Sequence, residues 1–392
     1  MKIITFSTLF PNAANPQHGS FVAERLKHLI ESGSVDATVV APVPWFPAAS
    51  SLFPEYSRWS MVPRAGVFEG AQVLHPRYPV IPKIGMSIAP ALLALWTLRT
   101  IRRVIDEGGG VDVIDAHYFY PDGVAAALLG RWLDRPVVIT GRGTDLNLIP
   151  QYRLPRSQIR WAAAQATELA TVSKSLRDVL IALGVPESKT CVLRNGVDLE
   201  VFAASTDRMQ IRAELGVRGA SILSVGNLVE LKGHHLVIKA LQSLPEDIEL
   251  RIAGEGPMES SLRRIARDRG VENRVHFLGR LDRPALVKAY NAADLLVLAS
   301  SREGMANVLL ESMSCGTPVM ATKVGGSPEI VNDLVGGLVP EREPGALALG
   351  IKRLLERGIN RDVVRRYAEN FSWEATTQGQ LEMFERVAQH KA

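Results

Sequence analysis

Short β-branched runs alternate with helical patterns along the whole of this 392-residue chain. A first series runs from "KIITFS" to "TCVLRN", and a second series with the same rhythm starts at "SILSVGNL". Strands separated by helices form parallel sheets through right-handed crossovers. The sequence therefore predicts two doubly wound, Rossmann-like α/β domains, residues 1–197 and 198–373, that face each other across a cleft. Because such sheets bind ligands beyond the carboxyl ends of their strands, we expect the functional site in that cleft.

Composition and charge exclude several classes of protein. The apolar share of 46% and the charged share of 22% are those of a globular protein. The net charge of +4 arises within the first 180 residues, which suits an anionic membrane surface or an anionic acceptor. No lysine-rich or arginine-rich run occurs, so we expect no nucleic-acid partner. Two cysteines without metal-ligand spacing, Cys191 and Cys315, and an apolar first segment too short for a signal peptide favour a cytoplasmic protein.

The segment "SVGNLVELKGHHL" follows a predicted strand and leads into a helix that begins at about His234. Gly226 permits a tight turn, and Asn227 comes next in the same loop. Lys232 lies beside the helix N-terminus, where free backbone N–H groups and the helix dipole add to its charge. This pattern predicts a phosphate site, and the alternative is a solvated loop lysine.

Two further glycine turns follow predicted strands. In "RIAGEGPMESSL", Gly254 and Gly256 permit the close approach of a base or a phosphate, or they serve tight packing alone. In "TKVGGSPEIV", Gly325 and Gly326 precede a helix start at Pro328. Their consecutive amides predict a nest for an anion such as a diphosphate.

The segment "SREGMANVLLES" holds two glutamates eight positions apart, Glu303 in a loop and Glu311 in a predicted helix. Gly304 brings the backbone close to a ligand, and Asn307 is the predicted N-cap of the helix. A carboxylate can accept hydrogen bonds from two neighbouring hydroxyls. We therefore expect Glu303 to hold sugar hydroxyls and Glu311 a ribose diol. For Glu311, helix electrostatics is a sufficient alternative explanation.

In the first half of the chain, polar residues also follow predicted strands. Gly19 and Ser20 lie where the first strand leads into a helix, and we expect them on the acceptor side. Arg142 and Asp145, in "TGRGTDLN", are expected there too. His117 ends the buried run "DVIDAH", and for this histidine a structural and a catalytic role both remain open.

These motifs resemble those of family 4 glycosyltransferases of the GT-B fold, over nearly the full length of the chain. The most specific match is Glu303-x7-Glu311 followed by "SMSCGTPVMATKVGGSPEIV", and "IAGEGP", "VLRNGVD" and "TVSKSLRD" support it. The final "FSWEATTQGQLEMFERV" resembles the helix, here at about residues 374–392, with which such enzymes cross back onto their N-terminal domain.

The resemblance implies transfer of a sugar from a nucleotide-diphosphate sugar to a hydroxyl acceptor, with retained anomeric configuration and without a metal or other cofactor. By motif, Lys232 would neutralise the leaving diphosphate, Glu311 would bind the donor ribose, and Glu303 would contact the donor sugar. Gly325 and Gly326 would offer amides to the diphosphate and the sugar.

On the N-terminal side, the resemblance implies that His117 faces the donor sugar as a third catalytic side chain and that Gly19 lies near the acceptor. One position departs from the family pattern. Asn227 stands where the family often carries an arginine that helps to bind the diphosphate, and asparagine carries no charge. Arg142 is the alternative cation that the sequence suggests.

The acceptor side is less specific. Residues 42–68 are rich in proline and aromatic residues and predict a variable acceptor loop. In residues 81–103, Trp96 precedes three arginines, which suits a helix on an anionic bilayer or an ordinary core-facing helix. We expect a saccharide acceptor, lipid-linked or a polysaccharide precursor. The alternatives are a non-catalytic nucleotide-sugar-binding protein and a phosphorylase or epimerase of the same fold.

Overall fold

The structure is a computed structural model that describes residues 1–45, 59–80 and 85–389. The chain divides into two compact units, Met1–Asn195 together with Trp373–Ala392, and Gly196–Ser372. Each unit is built on its own largely parallel sheet with helical connections. The prediction of two doubly wound α/β domains is therefore confirmed.

Two predicted features fall partly outside the described residues. Of the proposed acceptor loop 42–68, residues 46–58 are not described, and residues 81–84 at the start of the segment 81–103 are not described either.

The first unit carries an eight-stranded sheet and a separate pair of short strands. Its strands are β1 Lys2–Phe6, β2 Asp36–Val40, β3 Val43–Trp45, β4 Ala65–Phe68, β5 Ala71–Leu74, β6 Arg77–Pro79, β7 Val113–His117, β8 Val137–Gly141, β9 Glu168–Thr171 and β10 Thr190–Val192. Among the described residues, the order in the large sheet is β10-β9-β8-β7-β1-β2-β5-β4, and only the β4–β5 pair of that sheet is antiparallel. Strands β7 and β8 are buried on both faces, as expected for a covered parallel sheet.

Helices of both ends of the chain cover this sheet. Those before the second unit are α1 Ser20–Glu31, α2 Ala89–Glu107, α3 Val124–Leu133, α4 Thr144–Asn147, α5 Arg153–Gln165 and α6 Lys174–Ala182. The C-terminal helix, Trp373–Gln389, joins the same unit and packs Met383 and Phe384 against Leu26 and Leu29 of α1. Phe384 is fully buried, and a side chain of this size contributes about 1.5–3 kcal/mol when it leaves water.

The second unit carries a six-stranded, wholly parallel sheet in the order β13-β12-β11-β14-β15-β16. Its strands are β11 Ser221–Val225, β12 Glu249–Ala253, β13 Val275–Gly279, β14 Leu295–Leu298, β15 Val319–Thr322 and β16 Gly336–Val339. Its helices are α7 Arg208–Glu214, α8 His234–Leu241, α9 Glu259–Asp268, α10 Arg283–Ala292, α11 Asn307–Ser314, α12 Pro344–Arg357 and α13 Arg361–Ala368. One apolar cluster, with members from α8, α9 and α12, covers the sheet.

Both sheets have the same topological turning point. In the second unit the chain builds outward from β11 to β13 and then returns to place β14 on the other side of β11. In the first unit β7 returns in the same way beside β1. The loops that follow two such strands diverge and leave a crevice at the carboxyl edge of the sheet. Each unit therefore has one edge at which a ligand site is expected.

No helix of the described residues is both long enough and apolar enough to cross a membrane.

Candidate functional site

The carboxyl edge of the second sheet gathers the predicted donor-side residues. They lie in the loops after four strands or at the start of the helix that follows: Gly226, Asn227 and Lys232 after β11, Gly254 and Gly256 after β12, Glu303, Gly304, Asn307 and Glu311 after β14, and Gly325 and Gly326 after β15. Because all six strands are parallel, these loops share one edge.

Lys232 and Glu303 meet at the turning point of this sheet. The ammonium nitrogen of Lys232 lies 2.6 Å from Oε1 of Glu303, and Ser300 donates to the same oxygen from 2.6 Å. The two charged side chains are 23% and 10% exposed, so the pair is shielded but still reached by solvent. The sequence indicated each residue separately, and the structure adds that they form one ion pair across the crevice between β11 and β14.

The loop after β11 aims Lys232. Residues Glu230–Lys232 form a short 3-10 helix, and Gly233 in the left-handed conformation (φ 72°) starts α8 directly after it. A Cβ on Gly233 would lie 2.0 Å from the carbonyl oxygen of Ala299, so only glycine lets the two loops touch here. The lysine therefore lies next to the N-terminus of α8, as the sequence predicted, where an anion is favoured.

Gly254 and Gly256 allow backbone to pack on backbone. A Cβ on Gly254 would lie 2.0 Å from the carbonyl oxygen of Gly226, and one on Gly256 would lie 2.6 Å from that of Leu228. The amide of Leu228 also donates to Glu255 across the same gap, at 2.9 Å. Packing of the loops after β11 and β12 accounts for both glycines, and their contact with a ligand stays a prediction.

The loop after β15 packs against the backbone of Glu303. A Cβ on Gly325 would lie 1.9 Å from the carbonyl oxygen of Glu303, and the amide of Gly326 donates to the carbonyl of Gly304 at 3.1 Å. The amide of Ser327 is also engaged within its own turn. The expectation of consecutive amides open to an anion is therefore wrong for Gly326, whose N–H already has a protein partner.

Glu311 is held by a residue that sequence reasoning missed. The hydroxyl of Tyr290, on α10, donates to Oε2 of Glu311 at 2.7 Å. Tyr290 is fully buried, and burial followed by the charge of Glu311 raises the pKa of its phenol well above the ordinary value. A buried tyrosine hydroxyl needs a partner, so the tyrosine in "ALVKAYNAAD" was the signal available in the sequence.

The predicted N-cap of α11 is wrong by one residue. The cap is Ala306, without a side-chain hydrogen bond, and Asn307 is the first helical residue. Ala306 has the extended conformation that the cap position requires, and Asn307 is already helical. Glu311 accordingly lies in the second turn of the helix.

No described contact substitutes for the missing arginine at Asn227. Asn227 is exposed. The guanidinium of Arg142 is already engaged within the first unit, with the ring of His117 and the side chain of Asn195, both at 2.9 Å. Arg342, which the sequence did not single out, donates to the carbonyls of Ala299 and Glu230 and so ties the loops after β14 and β11 together.

His117 ends β7 at the turning point of the first sheet. It is 1% exposed, with Nε2 at 3.1 Å from Oδ2 of Asp115 and Nδ1 at 2.9 Å from Arg142. Burial is the main cause that lowers the pKa of this imidazole, to about 4. Both ring nitrogens thus bind side chains of the first unit, and contact of His117 with a donor sugar stays a prediction.

The other predicted acceptor-side residues, Asp145, Gly19 and Ser20, lie in different parts of the first unit. Asp145 is fully buried and accepts from the backbone amides of Phe119 and Gly143 at 2.7 and 2.6 Å. Its carboxylate thus connects the loops after β7 and β8, and its place on the acceptor side stays a prediction. Gly19 starts α1 with a Cβ position only 2.2 Å from the carbonyl of Leu9, and Ser20 is exposed at the first turn.

A buried carboxyl that the sequence did not indicate lies at the same edge. Asp122 accepts from both the amide and the hydroxyl of Thr8, each at 3.0 Å, and so joins the loops after β7 and β1. It is fully buried, and burial raises its pKa to about 7, although the bonds from Thr8 oppose this shift. Asp122 was present in the segment "YPDG", but its long-range partner was not visible.

Family models match both halves of the chain. A model described as "Glycosyl transferases group 1" matches residues 207–371, and a model described as "Glycosyltransferase Family 4" matches residues 18–201. The chain belongs to the group 1, family 4 glycosyltransferases. It is therefore an enzyme of the transferase class, as the sequence motifs predicted.

Curated relatives of this glycosyltransferase are similar over most of their length. The putative teichuronic acid biosynthesis glycosyltransferase TuaC of Bacillus subtilis is 28% identical over 360 residues, which is 90% of this chain and 89% of the relative. The D-inositol 3-phosphate glycosyltransferase of Mycobacterium bovis is 31% identical over 349 residues, which is 82% of this chain and 69% of the relative.

Solved structures support the GT-B fold of the glycosyltransferase. Anabaena HepE, in a crystal structure with UDP, aligns with a TM-score of 0.75 and 21% identity over 98% of this chain and 100% of the other. Sucrose-phosphate synthase of Thermosynechococcus elongatus aligns with a TM-score of 0.77 and 18% identity over 98% of both chains.

We predict that Gly325→Ala destabilises the second unit and displaces Glu303, because the added Cβ meets the Glu303 carbonyl and the left-handed backbone (φ 53°) disfavours alanine. The expected loss is about 1–3 kcal/mol in urea unfolding. Gly345→Ala is the matched control, since a Cβ there meets nothing within 4 Å. Equal unfolding midpoints for the two variants would contradict this account of Gly325.

We predict that Asp122 makes stability depend on pH. Its pKa is higher in the folded state, about 7, than the ordinary value of 3.8, so its stabilising proton is present at acid pH and lost as the pH rises toward 7. Asp122→Asn stays neutral, and the melting temperature of the wild type should fall relative to this variant between about pH 4.5 and 7.5. The exposed Asp36→Asn is the control, and parallel curves for wild type and Asp122→Asn would refute the prediction.

Proposed function

We propose that this enzyme moves a sugar from a nucleoside-diphosphate sugar to a hydroxyl acceptor, with the donor diphosphate bound at the Lys232–Glu303 pair. The observation that carries the proposal is the 2.6 Å contact between these side chains at the turning point of the second sheet. A cation and a hydrogen-bond acceptor side by side match a ligand that carries both phosphate and sugar hydroxyls. UDP and UDP-glucose in the HepE structures support this donor class.

Charge development sets the role of Lys232. When the bond between the anomeric carbon and the diphosphate breaks, the leaving diphosphate gains negative charge. In this proposal the ammonium of Lys232 and the adjacent N-terminus of α8 stabilise that charge, and fixed donors of this kind are a large term in catalysis. Glu303 keeps the lysine in place before the donor binds, and its carboxylate then accepts from the hydroxyls of the transferred sugar.

Glu311 is the proposed ligand of the donor ribose. Tyr290 occupies one side of its carboxylate at 2.7 Å and so fixes the direction in which the rest of the group points. A carboxylate has about four lone-pair positions, so it can accept from a ribose hydroxyl while it keeps the bond from Tyr290. The tyrosine hydroxyl therefore acts as a support for the ribose contact.

Retention of configuration and independence from a metal complete the proposal. The acceptor oxygen attacks the anomeric carbon from the face that the diphosphate leaves, and the acceptor proton passes to the departing phosphate oxygen. This route needs neither a protein nucleophile nor a metal, because protein cations and helix N-termini carry the charge stabilisation. No cofactor is proposed beyond the donor itself.

A saccharide is the proposed acceptor, either lipid-linked or a precursor of a cell-surface polysaccharide. The relative named for teichuronic acid biosynthesis supports a polymer, and the relative named for D-inositol 3-phosphate supports an anionic hydroxyl compound. The positive charge of the first part of the chain agrees with an anionic acceptor in either case.

We also propose that α2 contacts an anionic membrane surface. Leu95 and Trp96 are 53% and 49% exposed on this helix, and Arg99, Arg102 and Arg103 are exposed one to two turns further on. Apolar side chains followed by arginines on one exposed surface fit the boundary between acyl chains and anionic headgroups. The core-facing side of the same helix, with Leu93 among its residues, is buried as in an ordinary helix.

We predict that Lys232→Met lowers sugar transfer by about 100-fold or more, because the leaving diphosphate loses its cation. The measurement combines thermal shifts with UDP, GDP and ADP and product analysis with the matching labelled nucleotide sugars. Lys288→Met is the matched control, since it breaks an exposed Lys–Glu pair of 2.9 Å with Glu214 in the same unit.

Wild-type protein should be stabilised by at least one nucleotide and should form a glycosylated acceptor. Near-normal turnover in Lys232→Met would refute the donor site. Sugar phosphate formed from inorganic phosphate, or an isomerised nucleotide sugar, would identify a phosphorylase or an epimerase in its place.

We predict that the protein floats with vesicles that contain anionic lipid and that Trp96→Ala combined with Arg99→Gln lowers this binding. Each arginine near the surface contributes about 1 kcal/mol of attraction, so binding should also fall as salt rises. Leu349→Ala is the control, because Leu349 is an exposed apolar residue on α12 of the second unit. Equal partitioning onto anionic and zwitterionic vesicles would count against the contact.

A further inference from the structure

We infer that Gln380, on the C-terminal helix, is a positioning residue that sets the protonation pattern of His117 through Asp115. Gln380 follows the second unit in the chain, yet its side chain is 1% exposed in the interior of the first unit. It is a part of the enzyme to which none of the recognised motifs assigns a role.

Five side chains form one hydrogen-bonded row through the interior of the first unit. Arg25 Nε lies 2.7 Å from Gln380 Oε1, and Gln380 Nε2 lies 3.0 Å from Asp115 Oδ2. The same oxygen of Asp115 lies 3.1 Å from Nε2 of His117, whose Nδ1 lies 2.9 Å from Arg142. The row joins α1, the C-terminal helix, β7 and the loop after β8.

The two arginines at the ends fix the direction of every bond in the row. A guanidinium can only donate, so Gln380 must turn its oxygen to Arg25 and its NH₂ group to Asp115. Arg142 likewise can only donate to His117, so Nδ1 carries no proton. The proton of the neutral imidazole therefore resides on Nε2 and is donated to Asp115.

Asp115 receives donors from both sides and is the acceptor of the row. Burial opposes its ionisation, but His117, Arg25 and Arg142 outweigh burial and lower the pKa of the carboxyl below its ordinary value. Gln380 and His117 both donate to the Asp115 carboxylate, and Gln380 carries no charge of its own. The glutamine thereby limits how strongly the carboxylate attracts a second proton to the imidazole.

His117 in turn anchors the edge of the first sheet. Its carbonyl oxygen accepts from the hydroxyl of Ser7 at 3.1 Å, which joins the ends of β7 and β1 at the turning point. Within the described part of the chain, the charged or titratable groups around His117 and Asp115 include Arg25 of α1, Arg142 after β8 and the buried Asp145 beside that arginine. The buried Asp122 shares the hydroxyl of Ser7 with the carbonyl of His117. Gln380, on the last helix, is the uncharged side chain that donates to Asp115.

The test is ¹⁵N NMR of the histidine rings in the full-length protein. His117→Asn removes the signals of His117 and so identifies them. In the wild type we expect a neutral ring with its proton on Nε2, and a titration midpoint well below the ordinary histidine value. This readout needs no substrate and is independent of the proposed function.

Two substitutions separate positioning from mere packing. Gln380→Leu removes both bonds, whereas Gln380→Glu keeps an acceptor for Arg25, and with it the anchor of the helix, but cannot donate to Asp115 as a carboxylate. We expect the midpoint of His117 to rise by about one pH unit in Gln380→Leu and further in Gln380→Glu, where the row gains a negative charge. Gln378→Leu, an exposed glutamine bonded to Glu382 on the same helix, is the matched control and should leave the midpoint unchanged.

Three outcomes decide the inference. A proton on Nδ1 in the wild type, or an unchanged midpoint in both Gln380 variants, would overturn it. A raised midpoint together with a matching shift in the pH profile of kcat, at unchanged KM for the donor, supports it in full. A raised midpoint in a protein that transfers no sugar supports the role of Gln380 and contradicts the proposed function, so the two failures are distinguishable.

Discussion

Lys232 and Glu303 come from strands that are neighbours in the second sheet although they lie 71 positions apart in the chain. Their ion pair is possible because β14 returns to the side of β11, which brings the two loops to one crevice. Surface ion pairs contribute little to stability, so the value of this shielded pair lies in where it holds the two charges. The proposed chemistry depends on that placement.

The loops that hold the pair lie close together, with their backbones in contact. Gly233, Gly254 and Gly325 each lie where a Cβ would come within about 2 Å of a carbonyl oxygen of a neighbouring loop. The glycines of this edge therefore bring the peptide planes together, and the polar side chains follow from that contact. Arg342 reinforces the same edge by binding two loop carbonyls at once.

The fold, and the position of the candidate site residues at the carboxyl ends of the strands, could be predicted because both depend on local patterns: strand and helix periodicity, and polar residues directly after a strand. The hydrogen-bond partners of these residues could not be predicted. Tyr290 with Glu311 and Thr8 with Asp122 are joined by tertiary packing, which leaves no trace in the spacing of the chain. The N-cap of α11 was misplaced because Asn307 suits a cap by residue type, whereas backbone geometry gives that position to Ala306.

The first unit is assembled from both ends of the chain, with the whole of the second unit synthesised in between. A nascent chain leaves the ribosome from its amino end, so Leu26 and Leu29 of α1 are made long before Met383 and Phe384. Until translation reaches the last helix, the part of α1 that meets that helix has no cover, and Arg25 has no glutamine beside it. The second unit can therefore complete its core before the first unit does, although its residues are made later than those of the first sheet. In the meantime, the uncovered part of α1 is an apolar surface of the kind that chaperones protect.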